Sequence, residues 1–172
     1  LSQALTTFAM IGLLRRAFPK TRVVLGGGLV TSWMRQPGWR SPFRGLVDDL
    51  IAGPGEAPLL ELLGSGHDGG RDVPDLGGLP LGEYLAPGPV LPYSASRGCW
   101  WRRCSFCPEA AERNPYLPLA PGRVAAELRV LTARFQPALI HLLDNALSPA
   151  HLRALAQAPP GAPWYGFTRV TP

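Results

Sequence analysis

Lysine is almost absent from this 172-residue chain: Lys20 is the only one, against sixteen arginines. There are two methionines and three cysteines, and only 17% of the residues are charged. The cysteines all fall within residues 99–107. That excludes a disulfide framework, which needs paired cysteines spread over the elements they staple. No run of about eighteen apolar residues occurs, so no membrane-spanning helix and no membrane partner is expected. The sequence opens at Leu1, and no signal-peptide pattern precedes the first amphipathic segment, which points to a reducing, cytoplasmic setting. A hydrophobic share of 46% with so little charge excludes a wholly disordered chain. The arginines give a net charge of +5 but are scattered, so no nucleic-acid partner is expected from them.

Glycine and proline are abundant instead, twenty of each, and they concentrate between the apolar segments. Residues 1–18 carry Ala4, Phe8, Ile11, Leu14 and Phe18 on one helical stripe, and Pro19 stops it. A short β-branched strand is expected over 22–26, followed at once by Gly26, Gly27 and Gly28. A second strand is expected over 46–52, then a short helix over 57–63. Residues 65–88 read by composition as a Gly/Pro-rich linker, longer than a compact domain ordinarily holds. Beyond it the pattern predicts a strand over 90–95, a helix over 121–135, a strand over 138–143, a helix from the Ser148–Pro149 cap to about 158, and a strand over 164–170. Strand, helix, strand, helix, strand implies a parallel sheet with right-handed crossovers. The fold class is α/β in two parts, residues 1–64 and 89–172. The chain opens in mid-helix and stops just after a strand, so it is expected to be a piece of a longer protein.

The informative segment is Ser96-Arg97-Gly98-Cys99-Trp100-Trp101-Arg102-Arg103-Cys104-Ser105-Phe106-Cys107-Pro108. It leaves the carboxyl end of an expected parallel strand, where open sheets and barrels bind ligands. Thiolates hold zinc or iron–sulfur clusters. A structural zinc wants four ligands, so His67, His141 or His151 would have to join the three cysteines. Three cysteines on a cubane cluster leave one iron open, as a catalytic metal requires. The non-catalytic alternative is a zinc-binding interaction module.

The loop resembles that of the radical S-adenosylmethionine (radical SAM) enzymes, whose three-cysteine signature places an aromatic before the last cysteine, as in Cys104-Ser105-Phe106-Cys107. It departs from the family pattern in its first gap, four residues between Cys99 and Cys104 where three are usual. The resemblance implies that Cys99, Cys104 and Cys107 ligate a [4Fe–4S] cluster and that S-adenosyl-L-methionine chelates its fourth iron. It implies reductive cleavage of that cofactor to a 5′-deoxyadenosyl radical, with Phe106 near the adenine. It also implies an electron donor such as flavodoxin or ferredoxin and a small-molecule or peptide substrate. Asp144 and Asn145 end the second expected barrel strand, where such enzymes place contacts to S-adenosylmethionine or substrate; a turn-and-capping role before Ser148 is the structural alternative. Arg169, ending the third strand, would pair with a carboxylate of the bound cofactor. Arg97 would offset the cluster's negative charge or simply solvate the loop. Trp100 and Trp101 would exclude water from the cluster or serve as ordinary packing. His141 reads as a core or barrel-lining residue and His151 as a solvated residue on a helix.

A cobalamin-dependent subgroup is the nearer resemblance. Gly26 and Gly27 would fill the Gly-Gly strand end of its cobalamin-binding domain, and Asp48-Asp49 through Gly53-Pro54-Gly55-Glu56 resembles the acidic strand and turn that close that domain, which implies cobalamin-dependent methyl transfer or rearrangement; a Gly-rich turn in a generic α/β domain without cobalamin is the alternative. A plain dinucleotide site is discounted, because Gly26-Gly27-Gly28-Leu29-Val30-Thr31 lacks the third required glycine. The implied architecture is the end of a Rossmann-like cobalamin-binding domain followed by the first half of a partial (β/α) radical SAM barrel. Three barrel strands leave an open edge, so the chain alone is expected to bind a cluster weakly and not to turn over.

Overall fold

The computed structural model describes residues 3–66 and 73–170. His67 lies outside the described residues, as does part of the expected linker. Among the described residues the chain is mixed α/β, with six α-helices and small parallel sheets. It divides into two compact units. The first holds the described residues up to 66 together with Phe106–Arg113, and the second holds the remainder.

In the first unit, helix α1 (Ala4–Ala17) buries Ile11, and Phe8 stacks on Phe43 with ring centroids 5.1 Å apart. Arg15 and Arg16 in its last turn suit the negative end of the helix dipole. Strands β1 (Val24–Leu25) and β2 (Asp49–Leu50) pair in parallel, Val24 with Asp49 and Leu25 with Leu50. Both are shorter than the apolar runs suggest, because only these residues meet in register. Gly27, at φ +97°, turns the chain into helix α2 (Gly28–Met34), which the sequence pattern does not announce. Thr31 is buried; its hydroxyl donates to the Gly27 carbonyl at 2.9 Å and accepts the Gly53 N–H at 2.9 Å, tying α2 to the end of β2. Helix α3 (Glu56–Leu62) follows.

The acidic pair after residue 47 serves the fold. Asp48 meets Arg15 at 2.6 Å and Asp49 meets Arg22 at 2.6 Å. The Val23 N–H and then the Arg15 guanidinium hold Asp48 below the ordinary carboxylate range, and Arg22 does the same for Asp49. Helix α4 (Pro108–Glu112) packs on α2 in this unit, with Pro108 at its first turn and the Glu112 carboxylate beside Gly28.

In the second unit, strands β3 (Val90–Tyr93), β6 (Leu139–Leu147) and β7 (Trp164–Thr168) form a parallel sheet in that order. Helices α5 (Pro121–Phe135) and α6 (Pro149–Gln157) make the crossovers. Both open on proline, and the Ser148 hydroxyl caps α6 by accepting the His151 N–H at 3.3 Å. Two-residue alternation buries Leu91 and Tyr93 on β3 and Ile140, Leu142, Asp144 and Ala146 on β6. Leu91, Tyr93, Ile140 and Leu142 pack with Val124, Leu128 and Leu131 of α5 and Leu155 of α6 in one core. Each fully buried leucine contributes roughly 1.5–3 kcal/mol of transfer free energy. The Tyr93 hydroxyl donates to buried Glu127 at 2.6 Å, and Arg123 pairs with the same carboxylate at 2.5 Å.

Strand β6 runs four residues beyond the expected end at 143, and its register with β7 shifts between Leu142 and Leu147. Gly166 lets the two strands approach, since a Cβ there would stand 2.9 Å from the Leu142 Cβ. The described part of the Gly/Pro-rich segment is more than a spacer. Leu76 joins the core, Leu81 packs against it, a 3₁₀ turn spans Leu81–Glu83, and Asp75 pairs with Arg134 at 3.0 Å. Among the described residues no helix is long and apolar enough to cross a membrane.

Candidate metal-binding cysteine loop

The loop begins where β3 ends, and three devices fix its start. Asp144, 3% exposed, accepts the Ala95 N–H at 2.8 Å and the Ser96 hydroxyl at 2.5 Å. Strand β4 (Ser96–Arg97) pairs antiparallel with β5 (Leu117–Pro118). Gly98 lies at φ +71°, where a Cβ would stand 2.4 Å from the Pro115 carbonyl oxygen. Only glycine fits that backbone and that approach. Cys99 follows directly.

All three cysteines are free; Cys99 is buried, and Cys104 and Cys107 are half-buried. Between the first two, the Trp100 indole N–H donates to the Leu147 carbonyl at 3.2 Å, which also accepts the Thr168 hydroxyl at 3.2 Å. Trp101 meets Trp100 edge to face, with centroids 5.6 Å apart. The Arg169 guanidinium lies 4.0 Å from the Trp101 ring centroid and that of Arg103 lies 5.1 Å from it. Arg102 adopts a left-handed φ of +50°. Cys99 and Cys104 belong to the second unit; Cys107, in the first, stands at the N-cap of α4. Among the described residues no group of three or more His, Cys, Asp or Glu side chains is gathered so as to hold a metal ion.

The other candidate residues fall in varied places. Asp144 lies inside β6 with its carboxylate engaged by the start of the loop, so its observed part is to position the chain that enters the cysteines. Asn145 is exposed on the opposite face of β6. Phe106 is 88% exposed in the first unit. Arg169 lies just past β7 and is organised by Trp101. His141 stacks on Tyr165 at 4.3 Å on the face of the sheet away from the core. His151 corrects the expectation of a solvated side chain. It is 1% exposed, with Nδ1 against the Ser148 hydroxyl at 3.0 Å and Nε2 at 2.9 Å from the Leu119 carbonyl. A carbonyl only accepts, so Nε2 carries the proton and Nδ1 accepts from Ser148. Both ring nitrogens are used in joining α6 to the end of β5, which removes His151 as a fourth zinc ligand.

Gly26 and Gly27 line a cleft of about 260 Å³ with Gly28, Phe8, Val30 and Trp33. A Cβ on Gly26 would lie 3.2 Å from the Ile51 carbonyl oxygen, so packing against β2 accounts for that glycine. Gly27 faces open space. The lining also includes Gln3 and Thr7 and, among the described residues, no imidazole.

Sequence reasoning missed the Asp144–Ser96 tie, the need for Gly98 and the burial of His151. The signals were present for the last two: a glycine directly before the first cysteine, and a histidine three residues after a serine cap. Compared with protein-family models, with curated proteins and with solved structures, the chain matches none.

Proposed function

We propose that this chain carries the cluster-binding segment of a radical S-adenosylmethionine enzyme. The observation that carries the reading is three free thiols within nine residues, on a loop that leaves the carboxyl end of a strand in a parallel strand–helix–strand–helix–strand unit. The donor chemistry suits iron and sulfide, since three thiolates leave one iron of a cubane open. A four-ligand zinc site is less well supplied, with His151 engaged at both nitrogens and His141 stacked on Tyr165.

Cys99, Cys104 and Cys107 would be the ligands of a [4Fe–4S] cluster. When bound with S-adenosyl-L-methionine, the cluster supplies the electron that cleaves the sulfonium bond. The chain's own residues prepare the loop. Asp144 fixes Ala95 and Ser96, so the path into Cys99 is set before any ligand arrives. Gly98 permits the close pass along 115–116. Trp100, held through its N–H, and Trp101 bring two large apolar rings to the stretch between the first two cysteines.

The test is anaerobic reconstitution with iron and sulfide in large excess, so that even the weak binding expected of an open-edged barrel fills the site. The expected result is a brown protein absorbing near ~400 nm, with the absorbance lost in Cys99→Ala, Cys104→Ala and Cys107→Ala alike. A colourless protein holding one tightly bound zinc would overturn the reading.

A further inference from the structure

We infer that Glu112 is a positioning residue for Cys107: its carboxylate, seated on Gly28, holds α4 to α2 and so fixes the third thiol. That Cys107 is a ligand rests on the cluster reading above; that Glu112 places it does not. Helix α4 has little in its own sequence to stabilise it. Its residues, Pro-Glu-Ala-Ala-Glu, include no large apolar side chain, none of them is buried, and its N-cap makes no side-chain hydrogen bond. So short a helix does not persist alone in water, and tertiary packing must supply its stability. That packing is on α2. Glu112 is the last residue of α4, where a carboxylate opposes the helix dipole, so the helix by itself gains nothing from it. The gain is at Gly28. A Cβ there would stand 2.9 Å from the Glu112 Cδ and 3.3 Å from its Oε2, and closer still to Oε1. The carboxylate therefore occupies the space that a side chain at position 28 would fill.

The contact reaches the thiol through a short lever. Cys107 is the N-cap of α4, and the Ala110 N–H donates to its carbonyl at 3.1 Å, so its backbone moves with the helix. From Cys107 to Glu112 the helix rises about 7.5 Å, at 1.5 Å per residue. Beyond Glu112 the chain turns at Arg113, φ +50°, so α4 does not lengthen to take up a displacement. A carboxylate released from Gly28 frees that end of α4, and Cys107 loses its fixed place. Cys107, α4 and α2 all belong to the first unit, so the lever is complete within it.

The test is site-resolved alkylation of the metal-free chain by iodoacetamide, read by peptide mass spectrometry. Gly28→Ala displaces the carboxylate without removing it, Glu112→Ala removes it, and Glu112→Gln keeps an oxygen in its place. The expected result is alkylation of Cys107 at least about fivefold faster in Gly28→Ala and in Glu112→Ala, no faster still in the double variant, with Cys99 and Cys104 unchanged. Glu112→Gln should restore the parent rate. Equal Cys107 rates in the parent and both alanine variants overturn the inference. So does acceleration in Glu112→Ala alone, a Glu112→Gln variant as fast as Glu112→Ala, or equal acceleration of all three cysteines, which is general loosening. Iron loading separates the two readings. After reconstitution, Gly28→Ala and Glu112→Ala should lose iron to a chelator several times faster than the parent. If the parent takes up no iron while Cys107 follows Glu112, the cluster reading falls and the positioning stands. If the parent loads a cluster and Cys107 ignores both alanine substitutions, the positioning falls and the cluster stands.

Discussion

Replacing Asp144 tests how the fold prepares the loop. Its carboxylate is 3% exposed and accepts from the Ala95 N–H and the Ser96 hydroxyl, 49 and 48 residues away in the chain. A hydrogen bond to a charged acceptor contributes about 1.5–3 kcal/mol, and a buried donor left without a partner costs about 1–3 kcal/mol. Ala95 is fully buried and Ser96 is 6% exposed, so water cannot readily replace the lost acceptor. Asp144→Ala should therefore destabilise the second unit by about 3–5 kcal/mol, a large part of an ordinary domain's stability of roughly 5–15 kcal/mol. Asp144→Asn can accept the Ala95 N–H with its oxygen and donate its NH₂ to the Ser96 hydroxyl, which then turns to accept, so it should lose less, about 0.5–2 kcal/mol. The assay is urea denaturation, with hydrogen exchange of the Ala95 amide as the local readout. Adding Ser96→Ala to Asp144→Ala should cost clearly less than the two separate losses summed, because the pair shares one bond. A loss below about 0.5 kcal/mol in Asp144→Ala, with Ala95 exchange unchanged, would refute the reasoning.

Two glycines should respond unequally to alanine. Gly98→Ala meets a positive φ and the Pro115 backbone, so a loss of at least about 2 kcal/mol is expected in thermal denaturation. Gly28→Ala meets only the tip of the flexible Glu112 side chain and should cost under about 1 kcal/mol, with a Gly28→Ala/Glu112→Ala double variant no worse. Acid should loosen the first unit. Asp48 and Asp49 are held below their unfolded values, so their contribution is present above the unfolded carboxylate pKa and is lost as pH falls through the folded one. Melting followed from pH 6 down to pH 3 should show a steeper loss in the parent than in Asp48→Asn/Asp49→Asn; equal slopes would count against the pairing. Titration with hydroxocobalamin checks the glycine cleft: a shift of its visible bands that disappears in Gly27→Leu supports a corrin there, and no shift removes cobalamin while leaving the cluster reading intact.

What the sequence disclosed follows the range of the forces involved. Helices α1, α5 and α6 were legible because their apolar stripes, prolines and caps are local, and the parallel order of β3, β6 and β7 followed from their alternation with helices. Strands β1 and β2 were overread because an apolar run marks burial, while pairing depends on register between segments 25 residues apart. Helix α4 grouped with the first unit, although it follows the cysteines in the chain, because its packing against α2 is a tertiary matter. At the loop, residue type exposed the three thiols. Asp144 was noticed for its place at a strand end, but its partners are nearly fifty residues away and no local pattern encodes them. His151 was misjudged because helical position alone does not say which neighbour, here the Leu119 carbonyl, lies across from it.

The most direct measurement is electron paramagnetic resonance of the anaerobically reconstituted, dithionite-reduced chain, with and without S-adenosyl-L-methionine. A reduced-cluster signal that changes shape when the sulfonium compound is added, and that vanishes in Cys104→Ala, is the predicted result. A signal indifferent to the added compound, or one that survives the loss of Cys104, would contradict a three-thiolate site with an open iron.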